Sequence, residues 1–158
     1  IEPSQNIRSL GVKLKLRSTK SIVKNKSVIL IYDSLVRGTT CHKIVNMLYE
    51  SGAKEVHVRI ACPEIKYPDF YGVDMPTKEE LLAHDKNLKE MSEYIKAKSL
   101  KFLSLEGLYK ALINERRNSS YPQFSDHYFT GDYPIKPHDN LEGIRVKQLS
   151  LLSGKSNS

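Results

Sequence analysis

The stretch Val28-Ile29-Leu30-Ile31-Tyr32-Asp33-Ser34-Leu35-Val36-Arg37-Gly38-Thr39-Thr40 decides the fold. Val28–Ile31 runs apolar without alternation, which suits a short strand covered on both faces, as in a parallel sheet. A loop from Asp33 to Thr40 follows, and then an amphipathic helix. Along that helix Cys41, Ile44, Val45, Leu48 and Tyr49 fall at i, i+3, i+4, i+7 and i+8. Gly52 stands where a helix C-terminus favours glycine. Val56–Cys62 reads as a second strand. Strand, helix and strand within about 35 residues make a βαβ unit, right-handed by strong default, with neighbouring parallel strands.

Downstream, the Pro/Tyr-rich stretch Pro63–Pro76 reads as a loop. Thr77 and Glu80 have the spacing of a capping box for a helix carrying Leu81 and Leu82. A second helix is expected over Asn87–Lys96 and a short strand over Leu100–Leu103. Ser104 can cap a helix whose apolar face is Leu105, Leu108, Tyr109 and Leu112. From Glu115 the chain turns polar and irregular, with Pro122, Pro134 and Pro137, and Gly154–Ser158 should fray. Upstream, the residues suggest a short helix around Ser4–Leu10 and alternation over Val12–Leu16. The expected organisation is a basic segment over 1–26, a partial α/β parallel-sheet core over 27–114, and an irregular extension over 115–158.

Composition narrows the function. The chain has 158 residues, 39% hydrophobic and 27% charged, which suits one folded domain or part of a larger one. No apolar run approaches the roughly 20 residues of a membrane span, and no signal peptide opens the chain, so no membrane role is expected. The two cysteines, Cys41 and Cys62, are too few for a disulfide framework and fit a reducing compartment, hence a cytoplasmic protein. Of the net +7, +6 lies before Ser27: seven Lys and Arg face Glu2 alone. Such a segment could attract nucleic acid or a phosphorylated small molecule, or be a plain solvated segment. It holds no aromatic residue for base stacking, and no helix-turn-helix or zinc signature occurs, so nucleic acid is not the expected partner.

The Asp33–Thr40 loop carries the chemistry. In an open α/β sheet, ligands sit at the carboxyl ends of the strands. The first turn of the following helix offers free amides and a partial positive charge. Gly38 allows close backbone approach, and Ser34, Thr39 and Thr40 add hydroxyls, which together make a cradle for a phosphate dianion. Asp33 can accept from sugar hydroxyls. Neither the Walker A nor the Gly-x-Gly-x-x-Gly pattern is present. On spacing alone, a plain strand-to-helix turn capped by Ser and Thr fits somewhat better. Arg37 could pair with a phosphate or brace the loop.

The wording goes further than the spacing. This segment resembles the thirteen-residue phosphoribosyl pyrophosphate (PRPP) motif of type I phosphoribosyltransferases, and its Ser34-Leu35-Val36-Arg37-Gly38-Thr39-Thr40 is close to that of the amidophosphoribosyltransferase family. Gly11–Lys15, Ser51–Arg59, Tyr67–Asp74, Ser104–Leu108, Phe129–Pro134 and Gln148–Leu152 resemble the C-terminal part of that family in the same order. The resemblance implies a type I phosphoribosyltransferase-like core, present in part. It implies a glycosyltransferase that forms 5-phosphoribosylamine from PRPP and glutamine-derived ammonia, the first step of purine synthesis. By position, Asp33, Ser34, Leu35, Val36, Arg37, Gly38, Thr39 and Thr40 would bind PRPP, with Mg²⁺ carried on the pyrophosphate and met by Asp33. Purine nucleotides and further copies of the chain are the implied partners.

The chain departs from the family in four ways. The motif there carries two consecutive acids, and here the first is Tyr32, a poor Mg²⁺ ligand. The glutaminase domain with its N-terminal cysteine is expected to be absent, possible only as a separate chain. The first strands of the transferase sheet, its pyrophosphate loop and most of its lid are expected to precede the matching region, leaving an apolar sheet edge. Some members hold an iron–sulfur cluster, but Tyr67–Phe70 and Pro122–Tyr128 contain no cysteine, so no cluster is expected. A non-catalytic PRPP- or nucleotide-binding module and an inactive remnant stand as alternatives to the enzyme. Cys41 and Cys62 are expected to be buried and structural, His57 and Arg59 to share one strand face, and Tyr67, Phe70 and Tyr71 to be packing anchors.

Overall fold

The computed structural model describes residues 20–72 and 77–135. The expected helix at Ser4–Leu10, the alternation at Val12–Leu16 and the expected fraying of Gly154–Ser158 lie outside the described residues. The described chain begins with a short helix, α1 (Lys20–Val23), and then enters β1 (Ser27–Tyr32), α2 (Thr39–Glu50) and β2 (Glu55–Ile60). After the loop come a 3₁₀ turn (Lys78–Glu80), α3 (Leu82–Asp85), α4 (Leu88–Tyr94), β3 (Ser99–Phe102), α5 (Leu105–Ile113) and α6 (His127–Thr130).

The three strands form one parallel sheet in the order β1-β2-β3. The register sets Val28 beside Val56, Leu30 beside Val58 and Tyr32 beside Ile60, and Val58 beside Leu100. Val56, Val58, Ile60 and Leu100 face a core shared with Cys41, Val45 and Leu48 of α2 and Met91 and Ile95 of α4. The expected periodicity of α2 therefore holds, with Cys41, Val45 and Leu48 buried and Ile44 and Tyr49 packed at its margin. Gly52, at φ 93, reverses the chain after α2, and the Ala53 amide donates to the Leu48 carbonyl.

Coverage of β1 on both faces was the expectation, and among the described residues it is covered on one. Val28, Leu30 and Tyr32 pack against the core, whereas Ile29 and Ile31 are 64% and 74% exposed. The reason is topological. Two crossovers of the usual right hand that step in the same direction put both helices on the same face. The other face presents Ile29 and Ile31 beside Glu55, His57 and Arg59, which remain half-exposed. His57 and Arg59 do share that face, and both reach the Ser99 hydroxyl, at 2.8 and 3.1 Å.

Two helix starts differ from expectation. Thr77 makes no side-chain cap, and Glu80 does not reach back to it, because its carboxylate is bound by Arg37 at 2.6 Å. Lys78–Glu80 is thus a single 3₁₀ turn, and Leu81, in an extended conformation, precedes only the short α3. The capping box lies instead at α4, where Asn87 accepts from Lys89 and Glu90 amides while Glu90 accepts from the Asn87 amide at 2.8 Å. Ser104 caps α5 as expected, accepting from the Gly107 amide at 3.0 Å.

The stretch after Glu115 is irregular but anchored. Asp126, almost fully buried, accepts from Arg117 at 2.6 and 3.1 Å, from the Tyr109 hydroxyl at 2.8 Å and from Thr130. His127 is buried and pairs through Nε2 with the buried Asp69 carboxylate at 2.8 Å, while its Nδ1 meets the Ser125 hydroxyl at 3.0 Å. The Tyr133 hydroxyl donates to the Pro68 carbonyl and the Tyr71 hydroxyl to that of Ile135. Phe70 and Tyr71 are packing anchors here: their rings lie 5.2 Å from Tyr133 and His127 respectively. The 63–72 loop is in this way fastened to residues 125–135.

Candidate functional site

The loop between β1 and α2 encloses a cavity of about 190 Å³ lined by Tyr32, by 34–40 and by Cys41. It sits at the carboxyl end of the sheet, where a parallel strand must hand over to its crossover helix. Gly38 makes the turn possible. It holds φ 77, ψ −12 as the residue before α2, and a Cβ there would lie 2.7 Å from Leu82 Cδ2 and 3.0 Å from Tyr94 Cε1. Both the left-handed backbone and the close approach of α3 and α4 exclude a side chain.

The first three residues of α2, Thr39, Thr40 and Cys41, donate their amides to no acceptor among the described residues, as the start of a helix requires. With the positive end of a 12-residue helix behind them, these amides belong to residues that line the same small cavity as Ser34. Such a nest binds a phosphate or another oxyanion.

The other residues of the expected site divide by side chain. Leu35 is 1% exposed and buries its side chain in the core, so it offers the site backbone only. Val36 fixes the loop through its carbonyl, which accepts from the Leu82 amide at 2.9 Å. Arg37 braces the loop through Glu80, with both side chains about half exposed. Asp33 is exposed at the strand end, and its Oδ1 accepts from the Ser34 amide at 2.7 Å.

Tyr32 ends β1 with its ring against the core and part of it on the cavity wall. Burial, and secondarily the Asp33 carboxylate, raises its phenol above the usual range, so it is neutral. Burial raises the Cys41 thiol to about 11 and also raises that of Cys62, which donates to the Pro63 carbonyl at 3.3 Å. Cys41 is buried as expected, a structural thiol, whereas Cys62, also expected to be buried, is only partly so.

A larger cavity of about 520 Å³ opens at the end of β3, walled by Leu88, Phe102, Leu103 and Phe129. The start of α5, Ser104 and Leu105, also lines it, with Lys101, and the Glu64–Lys66 pair at its edge is self-satisfied at 2.7 Å. Among the described residues no group of three or more His, Cys, Asp or Glu can hold a metal ion, and no helix is long and apolar enough to cross a membrane.

A parallel sheet whose first strand opens into this anion nest defines a phosphoribosyltransferase-like core. No protein-family model matches the sequence. The chain is 50% identical to an amidophosphoribosyltransferase of Rhizobium etli over 154 residues, which is 97% of this chain and 31% of that protein. It is 48% identical to the chloroplastic amidophosphoribosyltransferase 1 of Arabidopsis thaliana, over 94% of this chain and 25% of that one. Among solved structures, the glutamine PRPP amidotransferase of B. subtilis, complexed with ADP and GMP, superposes with a TM-score of 0.67 at 41% identity, over 85% of this chain and 29% of that one. An allosteric regulatory enzyme of purine biosynthesis superposes with a TM-score of 0.69 at 40% identity, over 89% of this chain and 30% of its own. Over most of its length the chain is thus homologous to amidophosphoribosyltransferases, matching the C-terminal part of those proteins and spanning under a third of their length.

Proposed function

We propose that this chain supplies the PRPP-binding part of an amidophosphoribosyltransferase, a transferase of purine biosynthesis. The observation that carries the reading is the cavity at the start of α2, lined by Ser34, Gly38, Thr39 and Thr40, where the Thr39 and Thr40 amides have no acceptor among the described residues. In this reading Ser34–Thr40 takes the 5′-phosphate of the ligand, Leu35 and Val36 contributing backbone alone. Asp33 faces the ribose hydroxyls. Arg37, held by Glu80, keeps the loop in shape and adds positive charge. Mg²⁺ enters with the pyrophosphate of the substrate, and Asp33 is the one carboxylate the strand end offers to that complex.

Residues 27–114 act as the core of this unit, 115–158 as its extension, whose described part, up to 135, is strapped back onto the 63–72 loop, and 1–26 as its basic lead-in. The reaction served is amine transfer to C1 of PRPP, in the cytoplasm, with purine nucleotides as further ligands. Relatives that bear the enzyme's name favour this over a non-catalytic nucleotide-binding module.

Titration of ribose 5-phosphate into ¹⁵N-labelled 158-residue protein tests the reading. The amides of Gly38, Thr39 and Thr40 should move most, with micromolar to millimolar affinity, about −4 to −8 kcal/mol. Shifts confined to the basic segment before Ser27 would replace it with unspecific charge attraction.

A further inference from the structure

We propose that Ser125 is a nucleophilic hydroxyl that takes an acyl group from a small activated ester, with His127 as its base and Asp69 holding His127 in place. The site lies where the 63–72 loop meets residues 125–135, and it stands apart from the reading of the loop between β1 and α2.

Three groups stand in line. The Asp69 carboxylate only accepts, so His127 donates to its Oδ1 through Nε2–H, at 2.8 Å. In the neutral imidazole this leaves Nδ1 as an acceptor, and it meets the Ser125 hydroxyl at 3.0 Å. The Ser125 O–H therefore donates to Nδ1. A hydroxyl on a base that a third group orients is the arrangement that activates a serine, and it is recognised by geometry rather than by chain order. Burial is graded along the line. The side chains of Asp69 and His127 are 0% and 1% exposed, whereas Ser125 is an exposed residue. The base is sheltered and the nucleophile lies at the surface.

The surroundings hold this line fixed. The other oxygen of Asp69 accepts from the Tyr71 amide at 2.9 Å, which stops the carboxylate from turning away. The rings of Tyr71, Tyr128 and Tyr133 lie 5.2, 4.0 and 5.1 Å from the imidazole, fix its plane and attract the positive charge it acquires on taking a proton. Ser99 supplies the contrast. Its hydroxyl also meets a histidine Nδ1, that of His57, at 2.8 Å, but His57 Nε2 is 3.6 Å from Glu55, too far for a hydrogen bond, and Ser99 accepts from Arg59 as well. In the reaction with 4-nitrophenyl acetate, Ser125 Oγ forms a bond to the carbonyl carbon while its proton passes to His127 Nδ1. The bond to the nitrophenyl oxygen then breaks, 4-nitrophenolate leaves, and the acetyl group stays on Ser125.

Incubating the full chain with 4-nitrophenyl acetate and mapping the acetylated residues by mass spectrometry tests the proposal. Ser125 should react about a hundredfold faster than the exposed Ser119 and Ser120, the size of a general-base contribution, and than Ser99. In Asp69→Asn an amide at 69 donates to Nε2 and moves the ring hydrogen to Nδ1, removing the acceptor that faces Ser125. Labelling of Ser125 should then fall tenfold or more while Ser119 and Ser120 keep their rates, a selective loss that general loosening of the fold does not produce. A Ser125 rate no higher than that of Ser119, or an Asp69→Asn variant labelled at the wild-type rate, overturns the proposal. Long-range ¹⁵N spectra of the wild-type imidazole keep the test decisive if Asp69→Asn does not fold. Hydrogen on Nε2 is the expected result, and hydrogen on Nδ1 alone makes Ser125 a mere acceptor and overturns the assignment.

Discussion

At Gly38 the backbone and the packing make the same demand. A left-handed conformation costs an L-residue about 1–2 kcal/mol, and a methyl placed 2.7 Å from Leu82 Cδ2 adds overpacking of about 1–3 kcal/mol. Gly38→Ala should therefore destabilise the chain by about 2–5 kcal/mol, read as a lower urea midpoint with unchanged slope. It should also abolish the ribose 5-phosphate shifts at Thr39 and Thr40. A stable alanine variant that still binds would show that the turn does not depend on glycine. Gly38, Ser34, Thr39 and Thr40 were legible in the sequence because each residue type carries its own signal: free φ or a hydroxyl beside a helix start. The partner of Arg37 was not. Glu80 lies 43 positions away, and nothing local distinguishes an arginine that binds phosphate from one that braces a loop.

Among the elements, the β1-α2-β2 unit was legible to within a residue or two because its periodicities are long and unbroken. The helix starts were less so. Thr77 and Glu80 have the right spacing for a capping box, but a tertiary ion pair outcompetes the local one, and Asn87 with Glu90 supplies the real box. The anchoring of the last described stretch was hidden for the same reason: Asp69 and Asp126 look like loop carboxylates until His127 and Arg117 close on them. Burial alone pushes the Asp126 carboxyl up, but hydrogen bonds from Arg117, Tyr109 and Thr130 outweigh it and hold it below the usual carboxylate range. A depressed folded-state value means that the stabilisation is complete above the unfolded value, near 4, and is lost as pH falls through the folded one. Asp126→Asn should flatten the acid limb of the stability curve below about pH 4 and, by leaving Arg117 half-paired in a buried place, cost about 3 kcal/mol at neutral pH. Guanidinium melts at a series of pH values check both; parallel curves for the two proteins would refute the assignment.

Across the described residues the consequence of topology is a sheet with one dressed face. The apolar run of β1 reads as buried on both sides, yet which side is covered depends on the direction in which the crossovers step, which no run of residues encodes. Ile29 and Ile31, already in water, contribute little to the stability of the described fold, whereas Ile60, 3% exposed on the opposite face, belongs to the core. The double change Ile29→Lys with Ile31→Lys should therefore alter stability by only about 0.5 kcal/mol for each position, as expected of surface substitutions. Ile60→Ala should cost about 2–5 kcal/mol. The same exposed isoleucines lie on β1, which pairs only with β2 among the described residues, so an apolar face and an unpaired strand edge coincide. Flat apolar edges recruit other strands, and lysine on an edge strand opposes this. The wild-type chain should thus scatter light increasingly with concentration, and the double-lysine variant should remain monomeric at the same concentrations with nearly the same melting temperature. Equal scattering by both proteins would place the sticky surface elsewhere. A collapse in melting temperature of the lysine variant would mean that this face of β1 is covered in solution.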